Sequence, residues 1–235
     1  MIITFRTDPA LIDWLPRPQP ARSVLPGWLR AMAPRVESEM HGRSIRTVKQ
    51  CPPFVDAMAH GFVVPLPCDV RVEQGRFSWD WNAPAASVPG YPRAPLSFHV
   101  AEQIAGSPLA RGTQAAIKFN SFWTIALEAG WSLMAVHPVH RDDLPFRLIS
   151  GLVDADRFHA VGINFPAVWT DPDFCGVLPR GTPVAQCYAV PREGPQLRFE
   201  TMTEQEAAGF QDLADRILSE PGVYRKNYRQ KPAAL

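Results

Sequence analysis

Short apolar runs alternating with polar residues, broken every few positions by proline or glycine, fill most of this chain and predict strands rather than helices. They occupy residues 2–5, 44–48, 62–66, 70–72, 116–119, 123–127, 132–136, 146–149, 161–165 and 184–190. A hairpin closes around Gly75, with Phe77, Trp79 and Trp81 pointing one way. Helical spacing appears twice. Residues 51–61 have proline at the first helical position and glycine just past the end, with Phe54, Val55 and Met58 on the buried face. Near the end, Thr203 and Glu206 have the S/T-x-x-E spacing of a capping box. Phe210, Leu213, Ala214, Ile217 and Leu218 then recur on one face until Pro221-Gly222 stops the helix, which is expected to pack on the β body or a neighbouring subunit. Residues 8–20 read as a short turn or helix ended by prolines, 26–29 as a segment folded back on the body, and 35–43 as a mobile loop. Residues 84–95 form a loop that either covers a pocket or only connects strands.

The fold this predicts is mainly β, an antiparallel barrel or sandwich with a short helix near 52–60 and a C-terminal helix. The expected organisation is a single domain over 1–235: an N-terminal extension, 1–43, packed on a β core, 44–200, then a helix and tail, 201–235. At 235 residues the chain is long enough to bury a core without staples.

Composition narrows the function. A formal net charge of +1 argues against nucleic-acid or membrane-surface partners, which call for a strongly basic face. The only basic cluster is Arg225, Lys226, Arg229 and Lys231, read as a solvated end. The four cysteines, at 51, 68, 175 and 187, show no C-x-x-C pair. There is no signal-peptide pattern at the start and no apolar run near the roughly 18 residues of a membrane span. The expectation is a cytoplasmic protein with free thiols, Cys187 being a buried one.

Candidate chemistry concentrates between His137 and Gln186. His137 and His140 bracket a Pro-Val turn. With Asp154 they offer two imidazoles and a carboxylate, a set that suits non-haem iron, and Asp142, Asp143 or His99 are further possible ligands. The structural alternative is a satisfied edge histidine beside a solvent-facing one. Asp154 and Asp156, two apart, project to one face of an extended chain and either raise each other's pKa and work on a water, or cap a tight turn. Asp154, Asp156 and Arg141 are thus the candidate catalytic residues. Trp123, Trp131, Phe158 and Gln186 are the candidates for holding substrate, and Lys118 is a weaker anion-binding candidate. The implied cofactor is a divalent metal, iron or magnesium, and the implied ligand is a small molecule.

Two segments also carry a resemblance. GLVDADRFHAVGINF (151–165) resembles the third motif of the deoxyuridine triphosphatase and deoxycytidine triphosphate deaminase superfamily, and GVLPRGTPVAQ (176–186) resembles the strand entry that follows it. The resemblance implies a dUTPase-like barrel, an alternative to a jelly roll, assembled as a homo-oligomer with sites at subunit interfaces. It implies that Asp154 holds the catalytic water and sugar, with Gly181 and Gln186 at structural positions. Two departures stand out: Arg157 separates Asp156 from Phe158, and His-Pro-Val-His-Arg (137–141) replaces the phosphate-binding Arg-Ser-Gly. More broadly the chain is similar to a bacterial and phage domain family of unknown function, through Cys51-Pro-Pro-Phe, KFNSFWTI (118–125), GLVDAD and GTPVAQ. Three functions follow as expectations: a metal-assisted small-molecule enzyme, a nucleotide-binding or nucleotide-hydrolysing protein, and a non-enzymatic assembly module.

Overall fold

The computed structural model describes residues 1–110 and 116–230. Contacts divide the chain into two compact units, one made of 1–32 with 56–193 and the other of 33–55 with 194–235. The first 32 residues belong to the larger unit. In chain order the strands are β1 (Thr4–Arg6), β2 (Gln19–Pro20), β3 (Arg35–Ser38), β4 (Arg43–Arg46), β5 (Phe62–Pro65), β6 (Val70–Glu73), β7 (Arg76–Ser78), β8 (Leu96–Phe98), β9 (Ala116–Phe119), β10 (Thr124–Ala126), β11 (Trp131–Val136), β12 (Phe146–Leu148), β13 (Gly151–Val153), β14 (Phe165–Trp169), β15 (Gly176–Leu178) and β16 (Pro183–Pro191). The α-helices are α1 (Gly27–Ala31), α2 (Pro52–Ala59) and α3 (Glu204–Ser219).

In the larger unit β13-β11-β16-β5-β2 form a five-stranded sheet, β12-β14-β9-β8 a four-stranded one and β15-β6-β7 a three-stranded one, while β1 pairs with β10. Every pairing is antiparallel, and among the described residues none closes a sheet into a barrel. Burial explains the pattern. β16 is flanked on both sides, by β11 and β5, and its residues Val184, Ala185, Gln186 and Cys187 are all buried. A strand paired on both sides and covered on both faces reads as an unbroken apolar run. β6, by contrast, alternates buried Val70 and Val72 with exposed Arg71 and Glu73, as a strand with one wet face should. Leu133, Cys187, Ile117, Phe146, Phe165, Val70 and Leu178 bring the three larger sheets into one core.

A second, smaller core sets the site. Leu11, Leu15, Phe122 and Trp123 are buried together, with Trp14, Trp81 and Tyr91 packed against them. Residues 8–15 wind tightly, Leu11 N–H donating to the Asp8 carbonyl and Leu15 N–H to that of Leu11. This clamps the N-terminal segment to the turn between β9 and β10.

In the smaller unit β3 and β4 form a hairpin and α3 carries its capping box intact: Thr203 Oγ1 accepts from Glu206 N–H and the Glu206 carboxylate accepts from Thr203 N–H at 2.7 Å. Two expectations need correction. Residues 35–43 are not a free loop but most of a hairpin, missed because nearly all its side chains are exposed and leave no alternation to read. The strand expected at 161–165 begins only at Phe165, and Gly162 before it lies against the Ser121 carbonyl, where a Cβ would come within 2.4 Å. Among the described residues no helix is long and apolar enough to cross a membrane. Lys231 of the basic cluster lies outside the described residues.

Candidate functional site

The register of β11 against β13 decides the fate of the expected metal site. Leu133 faces Val153 and Ala135 faces Gly151, so Asp154 emerges beside Ser132, five residues along β11 from His137. At about 3.4 Å per residue that is on the order of 17 Å, far beyond shared coordination. Among the described residues no three of His, Cys, Asp and Glu gather where they would hold a metal ion. His137, His140 and Asp154 are therefore not a ligand set. His137 spends both ring nitrogens on the backbone: Nδ1 accepts from Leu148 N–H at 3.3 Å and Nε2–H donates to the Arg141 carbonyl at 3.1 Å. Arg141 forms a two-pronged pair with Asp143 at 2.8 and 2.9 Å, tying down the same turn instead of facing a substrate. His99 is bonded to Gln103.

Burial holds His137 below the ordinary imidazole value, and the Arg141 carbonyl and Asp142 only partly offset it. The unfolded chain therefore takes up its proton first. The His137 contribution to stability is complete above the unfolded value of about 6.5 and is lost as pH falls from there towards the lowered folded value. Urea titrations at pH 7.5 and 5 should show a loss of stability on acidification that is smaller in His137→Gln.

Asp154 and Asp156 do sit together, but as one half of an ionic clamp. Asp154 Oδ1 accepts from Ser132 Oγ at 2.7 Å, and Asp156 Oδ2 accepts from Gly130 N–H at 3.0 Å. Arg192, at the end of β16, bonds Asp156 through Nη2. Its Nε lies 3.2 Å from Asp154 Oδ1, close enough for ion pairing though not aligned for a hydrogen bond. Both carboxyls are held below the usual carboxylate range, Asp154 first by the Ser132 hydroxyl and then by Arg192. For Asp156 burial works the other way, and the Gly130 amide and Arg192 outweigh it. Neither carboxyl is raised towards base or acid work at neutral pH. The carboxylates join the strand end to Ser132 and Gly130 and share Arg192, the partner that sequence reading missed.

The expected substrate residues are divided. Gln186 is buried and its amide is spent on backbone: Nε2 donates to the Ala57 and His60 carbonyls at 3.0 and 2.8 Å, and Oε1 accepts from Val139 N–H at 3.0 Å. Trp123 is core, with Nε1 donating to the Pro16 carbonyl at 3.1 Å. Trp131 packs half-buried on the main core and Phe158 is exposed. Lys118, on β9, lies outside both clefts described below.

A mostly apolar cleft of about 430 Å³ lies elsewhere. Pairing of β1 with β10 sets Arg6 opposite Thr124, and Thr7, Asp8 and Pro9 continue from β1 as one wall. Residues 88–92 form the facing wall, while Ser121, Thr124 and residues 159–162 complete the lining. The loop read as either lid or connection is thus a wall, and its anchors are specific. The buried Asp8 carboxylate accepts from Val88 N–H at 3.0 Å, from Ser87 Oγ at 3.3 Å and from Ala10 N–H at 2.9 Å. Burial alone would raise its pKa, but these donors hold it below the usual range. Tyr91 OH donates to the Phe122 carbonyl at 2.5 Å and accepts from Asp8 N–H at 3.2 Å. With its one proton so used, its 2.9 Å contact to Thr7 Oγ1 makes the threonine the donor. Pro9, Val88, Pro89, Pro92, Ala160 and Val161 make the lining mostly apolar, with Arg6, Thr124 and His159 as the polar groups in reach.

A second depression, lined by Cys68, Asp69, Arg71, Trp79, Asp80 and Arg180, is more polar, but its ionic groups are largely spent locally. Asp69 accepts from Arg180 N–H, Arg180 bonds the Trp14 carbonyl and lies 5.5 Å over its ring, and Arg71 pairs with Glu73 at 3.3 Å. Burial and the neighbouring Asp69 push the Cys68 thiol up to about 11, too high for a nucleophile. Cys187 is buried and shifted further in the same direction, as expected of a structural thiol.

No protein-family model matches the chain, and no curated protein is significantly similar to it.

Proposed function

We propose that the chain is a small-molecule-binding protein whose ligand occupies the cleft between residues 6–9 and 88–92. The observation that carries this reading is a mostly apolar cleft of about 430 Å³ whose outer wall is pinned by Asp8 and Tyr91 instead of being left to solvent. Pockets of that size and lining suit small organic ligands, with a few polar groups fixing orientation. Arg6 and His159 favour a ligand with an apolar body and an anionic end, such as a carboxylate. The enzymatic reading rested on a metal triad that does not assemble, and the nucleotide reading on an Asp154 that Ser132 and Arg192 already engage. The matching fold reading is an open, jelly-roll-like sandwich, supported by the core that the five- and four-stranded sheets share.

The test is a panel of aromatic and aliphatic carboxylates followed by amide chemical shifts. Saturable shifts are expected at Val88, Gly90, Tyr91 and residues 159–162, and Arg6→Glu should weaken binding about tenfold, or ~1.4 kcal/mol. A ligand at about 100 times its dissociation constant should also add roughly 2.7 kcal/mol to stability. No saturable shift in those segments across the panel overturns the reading.

A further inference from the structure

The two walls of the cleft are joined by hydrogen bonds whose direction is fixed by the protons available. Tyr91 OH has one proton and gives it to the Phe122 carbonyl at 2.5 Å, while Asp8 N–H donates to the same hydroxyl oxygen at 3.2 Å. Thr7 Oγ1, 2.9 Å from Tyr91 OH, must therefore donate to it, which uses the threonine's own proton. No other group engages Thr7 Oγ1 among the described residues, so its lone pairs stay open. Asp8 is 2 % exposed and held ionised by the Val88 and Ala10 amides and the Ser87 hydroxyl, so it has no proton to give. Ser121 Oγ, also in the lining, donates to the Trp123 carbonyl at 2.6 Å. These side chains can accept from a ligand but cannot donate to it. The donors are gathered at Arg6. The β1–β10 register sets it opposite Thr124, both line the cleft, and Arg6 forms no ion pair among the described residues.

We propose that the cleft selects an organic acid carrying a hydrogen-bond donor, such as a hydroxyl, on its apolar body, with the acid at Arg6 and Thr124 and the donor at Thr7 Oγ1. This rests on the reading of the cleft as a small-molecule site and adds which acids it prefers. A hydroxyl placed against Thr7 completes a bond. A methoxy oxygen in the same place meets another acceptor, and an unsubstituted ring leaves the threonine oxygen without a partner. A site that hydrogen-bonds a ligand hydroxyl rejects the analogue lacking it far better than an apolar pocket rejects a small change of shape. Tyr91 is the positioning residue here: by taking the threonine proton it makes Thr7 an acceptor.

Calorimetric titration of the full chain with meta- and para-hydroxyphenylacetate, their methoxy counterparts and phenylacetate tests this. The rigid ring holds acid and donor at two fixed separations. One hydroxy isomer should bind about tenfold tighter than its methoxy counterpart and than phenylacetate. Tyr91→Phe frees the Thr7 proton, so the methoxy acid should gain on the hydroxy acid until they differ by about twofold or less. Thr7→Val keeps the shape and should remove the preference from the other side, by weakening the hydroxy acid; it decides the matter should Tyr91→Phe not fold. Affinities of hydroxy, methoxy and unsubstituted acids within about twofold of one another in the wild type overturn this inference and leave the cleft reading standing. A hydroxy preference that survives in either folded variant overturns it too. No saturable heat with any of these acids overturns it as well, and takes the cleft reading with it if the wider carboxylate panel is silent.

Discussion

Gly61→Ala is expected to abolish the soluble folded protein. Gly61 follows α2 with φ of 72° and leads directly into β5. Its own carbonyl accepts from Ala21 N–H at 3.0 Å, so the turn is held from outside as well. A Cβ there would lie 2.1 Å from the Cys187 carbonyl oxygen and 2.9 Å from the Tyr188 ring. Tyr188 has room to move, but Cys187 does not, because β16 is paired on both sides. Relief requires breaking the ladder at the centre of the five-stranded sheet, so the loss should exceed about 4 kcal/mol. Gly181→Ala is the control: φ is 88°, yet nothing lies within 4 Å of the added carbon. It should cost only the left-handed strain, roughly 1–2 kcal/mol. Equal urea midpoints for the two variants would refute the close-approach argument.

The contrast between these two glycines also shows what sequence reading can reach. Gly61 was legible as a stop after a short helix, since proline opens that helix and glycine follows it. That the Cys187 carbonyl presses on it was not, because the contact joins segments 126 residues apart. Strands declared themselves where burial imposed a pattern, as in β16 with its apolar run and β6 with its alternation. β3 and the three-residue strands β8, β13 and β15 did not, being too short or too exposed to leave a period. α3 was legible from its cap, since Thr203 and Glu206 satisfy each other within one turn.

Candidate site residues fared according to the range of their partners. His137 and His140 are close in sequence and suggest a ligand pair, yet the antiparallel register of β11 with β13 carries Asp154 to the far end of the strand. Asp154 and Asp156 share a partner across a turn, but that partner, Arg192, lies 36 residues on from Asp156. The cleft was least legible of all, since Asp8 reaches Val88 across 80 residues and neither residue type is unusual for its segment. The weak signal was the proline-rich stretch 84–95, long for a passive connection in so compact a β unit.

Gln186→Leu should cost roughly 1–3 kcal/mol, because a side chain of similar size would leave the part-buried bonds to the Ala57, His60 and Val139 backbone unmade. Gln186 is 2 % exposed and its one amide serves three elements. Nε2 gathers the Ala57 and His60 carbonyls at the end of α2, where no further helical turn exists to use them. Oε1 takes the Val139 amide in the turn after β11. A carboxylate separates packing from polarity. Gln186→Glu keeps the shape but turns an oxygen towards carbonyl oxygens, so it is destabilising while ionised. Burial and those acceptors raise the glutamate pKa in the folded state, so the folded chain binds the proton more tightly than the unfolded one. Stability of Gln186→Glu should therefore rise as pH is lowered from 8 to 5, opposite in sign to the His137 effect, while Gln186→Leu keeps the pH dependence of the wild type. Urea midpoints for the three proteins at those two pH values give the answer. If Gln186→Glu weakens on acidification as the wild type does, Gln186 is not the amide that joins α2 to β16.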